Sequence, residues 1–116
     1  MIAINSEMYE EKLSFKGRNV LMYFHIPYTA HCRKMTPILE MVGFRLKNAG
    51  KNLDIYSIDA SKNDVKGHHL NSYPSFRLYL DGKKEEPIEF HGPENERHFV
   101  EWLEEHIPEL KMEEEK

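Results

Sequence analysis

Val20, Leu21, Met22, Tyr23 and Phe24 form a continuous apolar run bounded by polar residues. Such a run suits a strand buried on both faces of a sheet. From Met35 the apolar positions are Met35, Ile38, Leu39, Val42 and Leu46, which is the spacing of one face of a long helix. Pro37 lies inside that helix and is expected to kink it, because proline lacks a backbone donor and crowds the preceding turn. Residues 53–59 alternate apolar and polar and predict another strand. Residues 75–80 predict a further one, with Phe76, Leu78 and Leu80 on one face. Asp81 and Gly82 mark a tight turn, and residues 88–90 are the returning strand. Gly92 and Pro93 are predicted to open the last helix, whose apolar face is Phe99, Trp102, Leu103 and Ile107, and Pro108 to stop it. Residues 2–4 predict a short strand. Asn5 or Ser6 then offers a cap for a helix over residues 7–13, ended by Gly17. Residues 61–70 predict a short helix. The order implies parallel crossovers first and an antiparallel hairpin at the end: an α/β fold with a mixed central sheet and helices on both faces.

The length of 116 residues suits one domain, placed at residues 1–110, with 111–116 a charged tail or linker start. Hydrophobic residues make up 40% and charged residues 31%, the balance of an ordinary globular protein. The net charge of -4, with Lys and Arg spread along the chain, argues against nucleic acid as a partner. No apolar run approaches the ~20 residues that span a bilayer, so no membrane partner is expected. The first residues lack the basic region and apolar core of a secretory signal. There is one cysteine, Cys32. Alone it forms no internal disulfide and builds no thiolate metal site, so its surroundings become the place to look for chemistry.

Those surroundings resemble a known family. Residues 20–37 are similar to the strand, active-site loop and helix of protein disulfide isomerase catalytic domains, where the strand runs into Ala-Pro-Trp-Cys-Gly-His-Cys-Lys. Phe24, Pro27, His31, Cys32 and Pro37 match. Downstream, Asp59-Ala60-Ser61-Lys62-Asn63-Asp64-Val65 resembles the family's Asp-Ala-Thr-x-Asn-Asp-Val. Ser72-Tyr73-Pro74-Ser75-Phe76 resembles its Phe-Pro-Thr segment, and Ile88-Glu89-Phe90-His91-Gly92 its last strand and glycine. The resemblance covers nearly the whole chain and implies a thioredoxin fold, a cis peptide bond before Pro74 and a role in protein folding. It further implies the endoplasmic reticulum lumen, no cofactor, and unfolded or client polypeptides as partners, with other domains in a longer chain.

The departures fall on the chemistry. The family's nucleophile is the first cysteine of the pair, whose thiolate is stabilised at the helix N-terminus. Thr29 stands there, and a hydroxyl forms no mixed disulfide. It is expected instead to cap the helix. Cys32 matches the second, buried cysteine. Tyr23 replaces the family's buried glutamate, Ser57 the lysine near it, and Tyr28 the tryptophan before the pair. Nucleophile, proton acceptor and its partner are thus absent together, which implies a redox-inactive or impaired domain. The loop Tyr28, Thr29, Ala30, His31 and Cys32 is the candidate active-site loop. Tyr28, Tyr73 and Pro74, with Ile26, are the candidate border of an apolar groove in which a client strand pairs beside Pro74.

Other readings stay open. Cys32 reads as a small buried hydrophobe, or as a lone reactive thiol that isomerises or captures client disulfides. Thr29-Ala30-His31-Cys32 also fits the Thr-x-x-Cys pattern of peroxiredoxins, where the cysteine attacks peroxide. A purely structural module is the third reading. His25, His31 and Cys32 have no recognised ligand spacing, and the neighbours His68 and His69 do not share a helix face, so no metal is expected.

Overall fold

The computed structural model describes residues 1–63 and 73–111. Among them the elements run β1 (Ile2–Ile4), α1 (Tyr9–Ser14), β2 (Val20–His25), α2 (Ala30–Asn48), β3 (Asp54–Asp59), β4 (Ser75–Tyr79), β5 (Ile88–Glu89) and α3 (Glu96–His106), followed by one 3₁₀ turn, Pro108–Leu110. The sheet order is β1-β3-β2-β4-β5. β3 is parallel to both β1 and β2, whereas β4 is antiparallel to β2 and to β5. This is the mixed sheet that the element order predicts.

The apolar run becomes β2, the middle strand. Successive side chains point to opposite faces, so the run must feed two cores. Leu21 and Tyr23 enter one core with Met35, Leu39 and Val42 of α2 and with Phe99 and Leu103 of α3. Val20, Met22 and Phe24 enter the other, with Ile4, Tyr9 and Tyr79. A hydrogen bond between the hydroxyls of Tyr9 and Tyr79 ties α1 to that second face.

Several boundaries differ from the sequence pattern. α1 begins at Tyr9 with Met8 in the capping position and no side-chain cap. The Asn5 side chain accepts from the Met8 N–H at 3.0 Å and so shapes the turn before the helix. Gly17 sits at φ +86 beyond the helix, where its N–H donates to the Asp81 carboxylate. α2 continues through Pro37. β3 does not alternate in burial, because Tyr56 and Ser57 are both buried between flanking strands and covering helices. β5 is two residues long. α3 begins at Glu96, not at Gly92, because the Asn95 carboxamide caps it by accepting from the His98 N–H at 2.9 Å. The predicted helix over 61–70 lies outside the described residues from 64 on, as do His68 and His69 and the tail from residue 112.

Candidate functional site

The C-terminal end of β2 delivers the chain into the loop that precedes α2, and Cys32 lies in the first turn of that helix. Cys32 is fully buried, and its Sγ accepts from the Ile26 N–H at 3.4 Å. Thr29 occupies the N-cap position with extended backbone, but its hydroxyl does not cap the helix. Instead the hydroxyl donates to the Ile26 carbonyl at 2.9 Å, and the Thr29 N–H donates to the same oxygen at 3.0 Å. The expected cap is therefore overturned. The tight turn at residues 26–29 brings the Ile26 carbonyl under Thr29, and this acceptor takes the hydroxyl proton.

Behind Cys32 lies a buried hydroxyl cluster. Tyr23 Oη is 2.9 Å from Thr36 Oγ1 and 3.1 Å from the Cys32 carbonyl, while Thr36 donates to that carbonyl at 2.9 Å. The last of these bonds runs from residue i to i−4 of α2, a common use of a helical threonine. Burial holds the Tyr23 hydroxyl well above the ordinary tyrosine range. It stays protonated at neutral pH and acts as a donor, which is the opposite of what a carboxylate would do here. The Tyr23 ring is stacked between Phe76 at 5.3 Å and His25 at 4.8 Å. In register, Tyr23 faces Ser57 of β3, so the two positions that depart together in sequence are neighbours in the sheet.

His25 ends β2 opposite Asp59. Its Nδ1 is shut off from solvent and has no hydrogen-bond partner among the described residues. Burial lowers its basicity, opposed by the charge of Asp59.

On the other side of the loop, the Tyr73–Pro74 peptide bond is cis. Beside it opens a cleft of about 380 Å³. Phe76 and Phe90 form its apolar lining, Tyr73 and Pro74 one wall, and His31, His91, Gly92 and Glu94 the rest. His31 Nδ1 lies 3.5 Å from Glu94 Oε1 and links the start of α2 to the loop before α3. The structure thus brings together three predicted site residues: His31, Tyr73 and Pro74. Tyr28, Thr29, Ala30, Cys32 and Ile26 are not part of the cleft lining, and Tyr28 is 69% exposed. Phe90, His91 and Glu94 of the cleft, and Thr36 behind Cys32, are residues of the site that no sequence pattern singles out as such. A Cβ at Gly92 would lie 3.0 Å from the Phe90 ring. A larger cleft of about 680 Å³ lies at the far end of the sheet, between residues 13–17 and 81–86.

Among the described residues no cluster of three or more His, Cys, Asp or Glu side chains is arranged to hold a metal ion, and no helix is long and apolar enough to cross a membrane. The Thioredoxin family pattern matches residues 1–105. The chain belongs to the thioredoxin family. Relatives of this thioredoxin domain include the protein disulfide-isomerase of Saccharomyces cerevisiae, 29% identical over 84 residues, covering 72% of this chain and 16% of the relative. Protein disulfide-isomerase A4 of Bos taurus is 31% identical over 96 residues, covering 80% of this chain and 15% of the relative. The chain therefore spans about a sixth of the length of these relatives. Among solved structures, the first thioredoxin domain of mouse protein disulfide-isomerase A4 superposes with a TM-score of 0.72 at 20% identity, covering 89% of this chain and 72% of that one. That likeness shows the shared fold.

Proposed function

We propose that this domain is a redox-impaired member of the protein disulfide isomerase group that holds unfolded or client polypeptide at the edge beside Pro74. The carrying observation is the contrast on either side of the loop: a buried Cys32 whose sulfur and carbonyl are both engaged, and an open, partly aromatic cleft. Dithiol exchange needs an accessible thiolate and a resolving thiol. Thr29 supplies no thiolate, and Tyr23 is a proton donor where an acceptor would help Cys32 ionise. An extended client pairs its backbone with the chain next to Pro74 and sets side chains against the half-buried Phe90. By resemblance, the domain is one module, residues 1–110, of a longer folding factor in the endoplasmic reticulum lumen. The complete burial of Cys32 weighs against the single-thiol reading.

Two measurements test this. In an insulin reduction assay with dithiothreitol, the domain should add nothing to the uncatalysed rate; turnover comparable to a dithiol enzyme would sink the redox half. In an amide NMR titration with an unfolded peptide, shifts should centre on Tyr73, Phe76, Phe90 and Gly92. Saturating peptide that leaves those amides unmoved would sink the binding half.

A further inference from the structure

The cleft beside Pro74 has a half-buried aromatic ring, Phe90, and an uneven charge. Among the described residues its lining contains no lysine or arginine, and its one carboxylate is Glu94. The Glu94 side chain is 32% exposed, so it is neither sealed in the core nor free in bulk water. Its ion-pair partner among the described residues is an imidazole, His31, at 3.5 Å. The arginines nearby are each matched to a different carboxylate. Arg77 lies 3.1 Å from Glu89, Arg45 3.9 Å from Glu96, and Arg97 3.1 Å from Glu101. His91, the second imidazole of the cleft, lies 3.7 Å from Glu89. Among the described residues, Glu94 thus has an imidazole partner and no guanidinium of its own, unlike Glu89, Glu96 and Glu101.

We infer that the cleft selects client segments carrying a lysine or arginine, whose alkyl stem lies against the half-buried Phe90 and whose charged head meets Glu94. This deepens the client-holding function proposed above and rests on it. The stem buries its methylenes on Phe90 as an apolar side chain would, while the head stays wet. Two physical terms then favour the charged side chain over a purely apolar one. The Phe90 ring attracts a cation. The Glu94 carboxylate gives a charge-assisted hydrogen bond in a site partly withdrawn from water. An acidic client meets the opposite field and is disfavoured.

The test uses the full chain and four labelled peptides of one extended, mainly neutral sequence. Their central residue is lysine, arginine, norleucine or glutamate. Norleucine keeps the stem and removes the charge. Binding is followed by fluorescence anisotropy at low salt and by the amide shifts of Phe90 and Gly92. The lysine and arginine peptides should bind about fivefold tighter than the norleucine peptide, the size of one ion pair near a surface, and the glutamate peptide should bind weakest. Glu94→Gln should erase the difference between lysine and norleucine, and Glu94→Lys should invert it in favour of glutamate. Glu105→Gln, an equal change in net charge on the exposed face of α3, should leave the preference intact. His31→Gln, which removes the competing partner of Glu94, should keep or enlarge it. Equal affinities for lysine and norleucine in the wild-type chain would overturn the inference without depending on any variant folding. So would a preference that survives Glu94→Gln, or one that Glu105→Gln abolishes equally. If the norleucine peptide still shifts Phe90 and Gly92, client holding stands and only the charge selection falls. If none of the four peptides binds, both fall.

Discussion

The two walls of the loop before α2 differ in how their polar groups are satisfied. Around Cys32 every donor and acceptor that the chemistry of a redox pair would use is turned inward. The sulfur takes the Ile26 N–H, the Cys32 carbonyl takes Thr36, and the Thr29 hydroxyl is spent on the Ile26 carbonyl. Beside Pro74 the lining is open, and the His31–Glu94 pair is the ion pair within it among the described residues. A buried network gains by closing on itself, because an unmatched polar atom there costs about 1–3 kcal/mol. A binding edge gains by staying incomplete, since its groups are satisfied by what arrives. On the proposed function, the inner wall serves stability and the outer wall recognition.

The largest expected effect lies on the inner wall. Tyr23→Glu restores the residue type that the resemblance leads one to expect, but it places a carboxylate where an aromatic ring is stacked between Phe76 and His25 and where Ser57, not a lysine, stands opposite. The ring's packing is lost and the charge is unpaired. A loss of about 3–5 kcal/mol in urea unfolding is expected. Tyr23→Phe keeps the ring, and Thr36 continues to serve the Cys32 carbonyl, so it should cost about 1 kcal/mol. If Tyr23→Glu unfolds at the wild-type midpoint, the inner wall is not the closed network described here.

A middle-sized effect is expected on the outer wall. A Cβ at residue 92 would lie 3.0 and 3.1 Å from Cε1 and Cζ of Phe90. That ring has little room to yield, because it packs edge-on against Phe76 and Phe99 and tilts on Trp102. Gly92→Ala should lower stability by about 1 kcal/mol while weakening client peptide several-fold. A variant that loses stability and keeps peptide affinity would separate Phe90 from the cleft's function.

The two walls were also unequally legible. The core-facing residues of β2, α2 and α3 follow from periodicity alone, because Leu21, Met35, Leu39, Val42, Phe99 and Leu103 obey local spacing rules. The cis bond at Pro74 and the position of Thr29 at the head of α2 came only through family resemblance, since no hydrophobic pattern encodes either. The direction of the Thr29 hydroxyl was misread, because a capping preference says nothing of a competing carbonyl three residues upstream. α3 starts later than the breakers Gly92 and Pro93 suggest, because it is the Asn95 side chain that satisfies a backbone donor of the first turn, the His98 N–H. The Tyr23–Thr36 contact and the cleft residues Phe90, His91 and Glu94 were not legible at all. They meet across chain separations that only the assembled sheet closes.

The smallest expected effect sits where the walls meet, at His25. Its buried Nδ1 has no partner among the described residues, and burial lowers its folded-state basicity below the ordinary histidine value of about 6.5. The unfolded chain hydrates this imidazole and protonates it first, so as pH falls the unfolded state binds more protons at this site. The contribution of neutral, stacked His25 to stability is therefore fully present above the unfolded-state value, declines as pH drops through it, and levels off once the folded-state value is also passed. Asp59, directly opposite, works the other way. Its carboxyl is held low mainly by the Ser61 hydroxyl, so it remains charged through this window and softens the loss at His25 without contributing a slope of its own there. His25→Phe keeps the stacking surface on Tyr23 and removes the titration. Urea midpoints measured from pH 8 to pH 5 should fall less steeply in this variant than in the wild-type chain. Parallel slopes would mean that the orphaned nitrogen finds a partner in solution, and that the inner wall is open to water at its edge.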